Sequence, residues 1–227
     1  MPDYITQDFE SKELEILDAI SVLKKHGANI PLSEAWQKQV QARTLFDGDD
    51  TLFKELIKNT EIYFEYGCGK STEFVYKYTK ASIHAVDTSI DWVNRLKRLA
   101  VGEDSERVNL NWINVGKVGE WGVPISFERR ENFKVYAELM WQKQIAPDLV
   151  LIDGRFRVFC FLTSVNLAPV GTKILFDDYT NRPFFHVAEE FCEKIETCGR
   201  QALFEVSQSA KEKVTDEIVA SFQNVIN

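Results

Sequence analysis

Apolar positions change period along this chain, and the change divides it. Between residues 13 and 25, in ELEILDAISVLKK, Leu14, Leu17 and Ile20 with Ile16 and Leu23 fall at helical spacing, and Gly27 closes the run. After Pro31, LSEAWQKQVQARTLF with Ser33 as N-cap and then DDTLFKELIKN keep the helical pattern, so residues 1–60 read as an N-terminal helical extension. From residue 61 short apolar runs alternate with helical stretches, as parallel strands joined by crossovers do. Strands are expected at 61–66 (EIYFEY), 82–86 (SIHAV), 108–115 (VNLNWINV), 148–152 (DLVLI) and 172–176 (TKILF). TEFVYKY, IDWVNRLKRLA, ENFKVYAELMW, RVFCFLTSVNLA and FFHVAEEFCEKI are the expected helices. Two further apolar runs, QALFEVS (201–207) and EIVASFQNV (217–225), are joined by a linker too short for a parallel crossover and are expected to pair antiparallel. The expectation is an α/β domain over 61–227 with a doubly wound, mostly parallel, Rossmann-like sheet ending in an antiparallel hairpin. The extension is expected to cover the carboxyl edge of that sheet.

The turn YFEYGCGKST (63–72) carries the most chemistry: a strand, two glycines one residue apart, then Ser71 and Thr72 opening a helix. Such a turn lets backbone approach a ligand. As a P-loop it has the tail Gly69-Lys70-Ser71-Thr72, with LVLID posing as the Walker B strand. Phe64, however, stands where the first glycine is required, and Glu65 would face the phosphates. As a dinucleotide fingerprint it lacks the third glycine, since position 72 is Thr72. An acid at a strand end followed by GxG, here Glu65, Gly67 and Gly69, instead suits a cofactor bearing a sulfonium and an ammonium group, which a carboxylate attracts. The next strand ends in Asp87, twenty positions after Gly67, at the spacing from which an acid accepts from ribose hydroxyls. Asp87 also suits a helix N-cap together with Ser89.

Over roughly 61–225 these motifs resemble the class I S-adenosylmethionine-dependent methyltransferases, with EYGCGKST as the first motif and Asp87 as the ribose acid. EYGCGKST, GKVGEWG and LIDGRFR together resemble a little-described methyltransferase-like subgroup. The resemblance implies the fold and the cofactor S-adenosylmethionine, bound along Glu65, Gly67, Gly69, Ser71, Thr72 and Asp87. It also puts the loop NVGKVGEWGVP (114–124) where the adenine is held, with Trp121 stacking on the ring, lining the substrate mouth or anchoring the loop.

Asp153 ends LVLID, and Asp177 and Asp178 end KILFDD; both tips belong to the carboxyl edge, where such sheets bind ligands. Asp153 and Asp178 are candidate catalytic groups, either as general base or as ligands for a divalent metal such as Mg²⁺, as in the similar metal-dependent O-methyltransferases. Arg155, Arg157, Arg182 and His186 are candidates for binding an acidic acceptor; alternatively the arginines brace the aspartates. Pairing with them would relieve the acids without a metal.

A net charge of −8 argues against a nucleic-acid partner, which needs a basic face. Cys68, Cys160, Cys192 and Cys198 form no CxxC, so neither a disulfide framework nor a zinc site is indicated. The acidic start MPDYITQDFE and the lack of a 20-residue apolar run suggest a cytoplasmic protein without a membrane partner. The expected function is methyl transfer to an oxygen or nitrogen of a small-molecule acceptor. A non-catalytic methyltransferase-like binding module and a P-loop nucleotide-binding protein are the alternatives.

Overall fold

The computed structural model describes residues 44–46 and 48–226. The expected helices before residue 44 lie outside the described residues. In chain order the elements are α1 (Thr51–Ile57), β1 (Ile62–Tyr66), α2 (Lys70–Tyr78), β2 (Ser82–Asp87), α3 (Ile90–Leu99), β3 (Val108–Trp112), α4 (Glu131–Glu138), β4 (Leu149–Ile152), α5 (Arg157–Leu167), β5 (Lys173–Phe176), β6 (Lys194–Cys198), β7 (Gln201–Glu205), α6 (Gln208–Lys213) and α7 (Asp216–Ser221).

The seven strands form one sheet in the order β3-β2-β1-β4-β5-β7-β6. β1 to β5 pair in parallel, β7 runs antiparallel to β5, and β6 antiparallel to β7. Pleating sends alternate side chains to two cores. Phe64, Tyr66, Val150, Ile152, Ile174 and Phe176 meet α4 and α5 on one face. Tyr63, Ile83, Ala85, Leu149, Leu151 and Leu175 meet α1, α2 and α3 on the other. Burial on both faces is why these strands read as continuous apolar runs.

The antiparallel hairpin exists and the expected run QALFEVS supplies its β7, but the partner strand is β6 and not 217–225. β6 starts in the last two residues of the expected helix FFHVAEEFCEKI, Lys194 and Ile195, and continues through Glu196–Cys198, which no expected element covered; Gly199-Arg200 is the two-residue turn into β7. β6 is the sheet edge, with Ile195 and Glu196 exposed, so no buried face marked it as a strand. The expected strand 217–225 is instead helical from Asp216 to Ser221, its N-terminus capped by Thr215, which accepts from the Ile218 N–H at 3.3 Å.

Residues 44–60 are fastened to the domain. Phe46, Leu52, Phe53 and Ile57 enter the second core, and the Phe53 ring meets Phe46 and Tyr63 edge-on at 5.3 and 6.0 Å. Thr44 accepts from Lys70 Nζ at 3.4 Å, and Asp49 abuts Gly199. Lys70 opens α2 and Gly199 follows β6, so Thr44 and Asp49 lie at the carboxyl edge, while α1 carries the chain to the opposite edge at Thr60.

Candidate functional site

Strand order reverses between β1 and β4, and there the loops after the two strands cross at glycines. Gly67 has φ +96, and a Cβ on it would stand 2.6 Å from Gly154 Cα; a Cβ on Gly154 would stand 2.8 Å from Gly67 N and run into the Tyr136 hydroxyl. The two backbones touch because neither residue has a side chain. Gly69 differs: nothing lies within 4 Å of where its Cβ would be, so this backbone faces open space at the start of α2.

Glu65 lies below that loop. It shares the face of Tyr63, toward α2, where Ser71 Oγ donates to Oε1 and Thr72 Oγ1 donates to Oε2 at 2.6 Å. Thr72 Oγ1 in turn accepts from the Gly69 N–H at 2.9 Å. Burial pushes the Glu65 carboxyl up to about 8, against the hydrogen bonds from Ser71 and Thr72. Glu65 is fully buried with both oxygens taken by Ser71 and Thr72, so in this structure it clasps the loop to α2, and Ser71 and Thr72 serve that clasp. The unfolded chain gives up this proton near the ordinary 4.5 and the folded chain near 8, so the clasp's contribution is complete below about pH 4.5 and is lost as pH rises through 8. Melting temperatures from pH 5 to 8 should therefore fall more steeply for wild type than for Glu65→Gln; equal slopes would refute the buried neutral acid.

Asp87 ends β2 beside the same loop. Its Oδ2 accepts from the Cys68 N–H at 2.6 Å and its Oδ1 from the Ser89 N–H at 2.5 Å, while Ser89 itself caps α3. Burial raises its carboxyl to about 6, opposed by those two N–H groups. The two readings offered for Asp87 are therefore not exclusive, since each oxygen keeps one acceptor direction for a ligand hydroxyl. The next residue, Thr88, donates from Oγ1 to Gly122 O at 3.0 Å and ties the 114–124 loop to this tip. Trp121, on that loop, has φ +57 and is 87% exposed. Its exposure rules out the expected alternative of a core anchor.

Across the crossing, the β4 and β5 tips hold a closed charge cluster. Arg157 Nη2 lies 3.1 Å from Asp153 Oδ1 and 3.0 Å from Asp178 Oδ2. Arg182 reaches Asp178 Oδ2 at 2.8 Å, and Arg200 reaches Asp177 Oδ2 at 2.9 Å and Asp178 Oδ1 at 3.1 Å. Gln201 Nε2 donates to Asp177 Oδ1 at 3.1 Å. One carboxylate oxygen from each aspartate lies within 4.8 Å of the others, close enough to share a metal ion, yet three guanidiniums already balance the three acids. Asp178 is 3% exposed, with arginines paired at both of its oxygens, so it braces the tips. Its φ of +59 is a strained left-handed conformation held by those pairs. Asp153 differs, with 29% of its side chain exposed. Burial first, and then the Asp177 carboxylate, push its carboxyl well above the usual carboxylate range, with Arg157 pulling the other way.

The arginines and His186 separate as well. Arg157 is spent inside the protein, donating from Nε to Gly154 O at 2.9 Å and from Nη1 to Asp177 O at 2.7 Å, so it is not available to an acceptor. Arg182 pairs with Asp178 while remaining partly exposed. His186 is exposed and stacks on Tyr179, 4.9 Å between centroids, away from the aspartates' bonds. Arg155 is 9% exposed; its backbone N–H donates to the Tyr136 hydroxyl at 3.3 Å, and its guanidinium has no hydrogen bond or ion pair among the described residues. Two clefts of about 620 and 650 Å³ lie elsewhere, on the outer side of α5 and α7 and at the opposite edge of the sheet near Thr60 and Gly171. Neither includes a carboxyl-edge tip.

No protein-family model matches the chain, and no curated protein does. A solved methyltransferase-like protein is similar. That crystal structure, from Silicibacter pomeroyi, is 28% identical, the match covering 76% of this chain and 92% of that one at a TM-score of 0.65. The N-methyltransferase NodS from Bradyrhizobium japonicum matches at 12% identity over 70% of this chain and 93% of its own, with a TM-score of 0.41. A 16S rRNA N2 G1207 methyltransferase from T. thermophilus, solved with AdoMet and guanosine, matches at 14% over 69% and 39%, with a TM-score of 0.37. The first likeness extends over most of both chains, and the fold is the methyltransferase type of Rossmann-like sheet.

Sequence reasoning missed Gly154, Tyr136, Arg200 and Gln201. Gly154 was legible as a glycine directly after a strand-end acid. Arg200 and Gln201 sit at the turn Cys198-Gly199-Arg200-Gln201, which the apolar pattern does not mark because the exposed edge strand β6 carries no apolar run. Among the described residues no helix is long and apolar enough to cross a membrane.

Proposed function

We propose that this protein is an S-adenosylmethionine-dependent methyltransferase acting on an oxygen or nitrogen of a small molecule. One juxtaposition supports the reading: at the switch point of the sheet, an open glycine backbone and Asp87 stand on one side of the Gly67–Gly154 crossing, and the part-exposed Asp153 on the other. The cofactor fits the residues present. Gly69 offers backbone without a side chain, Asp87 keeps acceptor directions for two hydroxyls, and Trp121 stands exposed on a loop tied to Thr88 for stacking on a purine. When bound, S-adenosylmethionine supplies a methyl group on a sulfonium, open to in-line displacement.

In this reading Asp153 takes the proton from the attacking hydroxyl or amine, while Arg157 orients it through Oδ1. A carboxyl raised above the ordinary range is the stronger base. Arginines take up the charge of Asp177 and Asp178, so the reading needs no metal; Mg²⁺ at this cluster would have to displace Arg182 and Arg200. The net charge of −8 favours a small acceptor over a nucleic acid.

The test is thermal. At about 100 times Kd, S-adenosylmethionine or S-adenosylhomocysteine should stabilise the protein by about 2.7 kcal/mol, a rise of roughly 5–10 °C in Tm. ATP with Mg²⁺ and NAD should leave Tm unchanged; a shift by ATP alone would return the P-loop reading. Gly69→Ala should keep the unliganded Tm, because its methyl meets nothing, and lose the ligand-induced rise. Once an acceptor is found, Asp153→Asn should lower kcat by about 10²-fold with S-adenosylhomocysteine affinity retained. In wild type kcat/KM should climb with pH through an ionisation above the ordinary 3.8 of an aspartate, and the variant should lack that limb. A variant with wild-type kcat would remove Asp153 from the chemistry.

A further inference from the structure

Of the four arginines near the β4 and β5 tips, three are spent on aspartates and one is not. Arg155 is 9% exposed, yet its guanidinium meets no acceptor among the described residues. A guanidinium largely covered by the protein and without an acceptor there leaves its N–H donors to the little water that still reaches it, and a carboxylate arriving with a ligand satisfies them in the fork geometry that guanidinium prefers. Its place fits a ligand-facing group. Arg155 directly follows Gly154 at the crossing of the two loops, and its backbone is fixed by the Tyr136 hydroxyl. Its charge bears on Asp87 of the β2 tip, and it feels Arg157, Tyr136, Asp153 and Arg182, so its electrostatic neighbours lie on both sides of the Gly67–Gly154 crossing.

We propose that Arg155 is the carboxylate-recognition residue of this site, and that the small molecule bound at the β1–β4 crossing carries a carboxylate held by its guanidinium. Asp87 and Asp153 nearby favour a carboxylate over a phosphate, whose second charge they would repel. Two sources supply this chemistry: the amino-acid end of the cofactor, or an acid on the methyl acceptor. The proposal rests on the methyltransferase reading for the choice of probes.

The experiment is calorimetric titration of wild type, Arg155→Met and Arg155→Lys. The probes are S-adenosylhomocysteine, then 5′-methylthioadenosine, which keeps the nucleoside thioether but has no carboxylate, and then malonate, added to unliganded and to S-adenosylhomocysteine-saturated protein. If the cofactor's carboxylate is the occupant, Arg155→Met should weaken S-adenosylhomocysteine by about ten- to a hundredfold and leave methylthioadenosine unchanged. If the acceptor's acid is the occupant, S-adenosylhomocysteine should bind as before, and malonate binding to the saturated protein should be lost. In either case the lysine variant should recover part of the affinity. The proposal is overturned if S-adenosylhomocysteine and malonate both bind Arg155→Met as they bind wild type, or if methylthioadenosine weakens in parallel with S-adenosylhomocysteine, which marks a structural role. Should neither nucleoside bind wild type, the methyltransferase reading has failed, and malonate on the unliganded protein decides Arg155 alone: binding that disappears in the variant upholds it, and binding that persists or never occurs sinks it. Arg155→Gln replaces the methionine variant if the latter does not fold.

Discussion

Gly67→Ala is expected to destabilise the protein by about 4–5 kcal/mol in a denaturant titration, a loss that few single methyl groups cause. Two costs add. The alanine would hold φ +96, a region that strains any residue with a Cβ by about 1–2 kcal/mol. Its methyl would also stand 2.6 Å from Gly154 Cα and 2.7 Å from Gly154 N, so backbone must move against backbone, an overpacking cost of about 3 kcal/mol. Relief by a rotamer change is closed off, because the neighbours are main chain. Gly154→Ala should lose about 3 kcal/mol, since its methyl meets Gly67 N and the Tyr136 hydroxyl, and Gly69→Ala should lose almost nothing. Should Gly67→Ala come within 1 kcal/mol of Gly69→Ala, the close crossing of the two loops is not real.

The ranking of these glycines shows what the sequence could and could not reveal. GxG was legible as a turn, but both glycines read alike; only the β4 loop, 85 or more residues away in the chain, distinguishes the packed Gly67 from the open Gly69. The five parallel strands were legible because burial on both faces leaves a run of apolar residues, and each was found within a few residues of its ends. β6 was not, because an exposed edge strand carries no such run and the preceding FFHVAEEF pulls the reading toward helix. EIVASFQNV misled in the opposite direction: its β-branched residues suit a strand, whereas Thr215 with Asp216 and Glu217 makes a helix start that tertiary packing of Val219 then secures.

Charge roles were the least legible. Glu65 was read from its place at a strand end, but pleat parity, which puts it on the face of Tyr63, turns it toward the hydroxyls of α2 and away from solvent. Asp153, Asp177 and Asp178 were correctly placed on neighbouring tips, yet which of them keeps an accessible oxygen depends on arginines from α5, the segment before residue 183 and the β6–β7 turn. Arg155 and Arg157, two residues apart, were treated alike and have opposite situations: one without an acceptor, the other with its donors spent.

The contrast makes Arg157→Met the second large effect, a loss of about 3–5 kcal/mol, because removing one partner leaves buried charge uncompensated. Arg157 is 2% exposed and ties two loops together, through Gly154 O and Asp153 O after β4, Asp177 O after β5, and the carboxylates of Asp153 and Asp178. Arg182 and Arg200 would remain for the β5 aspartates, but Asp153 would lose the cation that now lowers its carboxyl against burial and Asp177. Its ionisation should therefore move further up, and the rising limb of kcat/KM against pH should shift to higher pH in any Arg157 variant that folds. Arg157→Lys should recover little stability, since one ammonium cannot reproduce donors directed at separate carbonyls and carboxylates. A loss under 1 kcal/mol, or a pH limb that stays in place, would show that Asp153 is positioned by something other than Arg157.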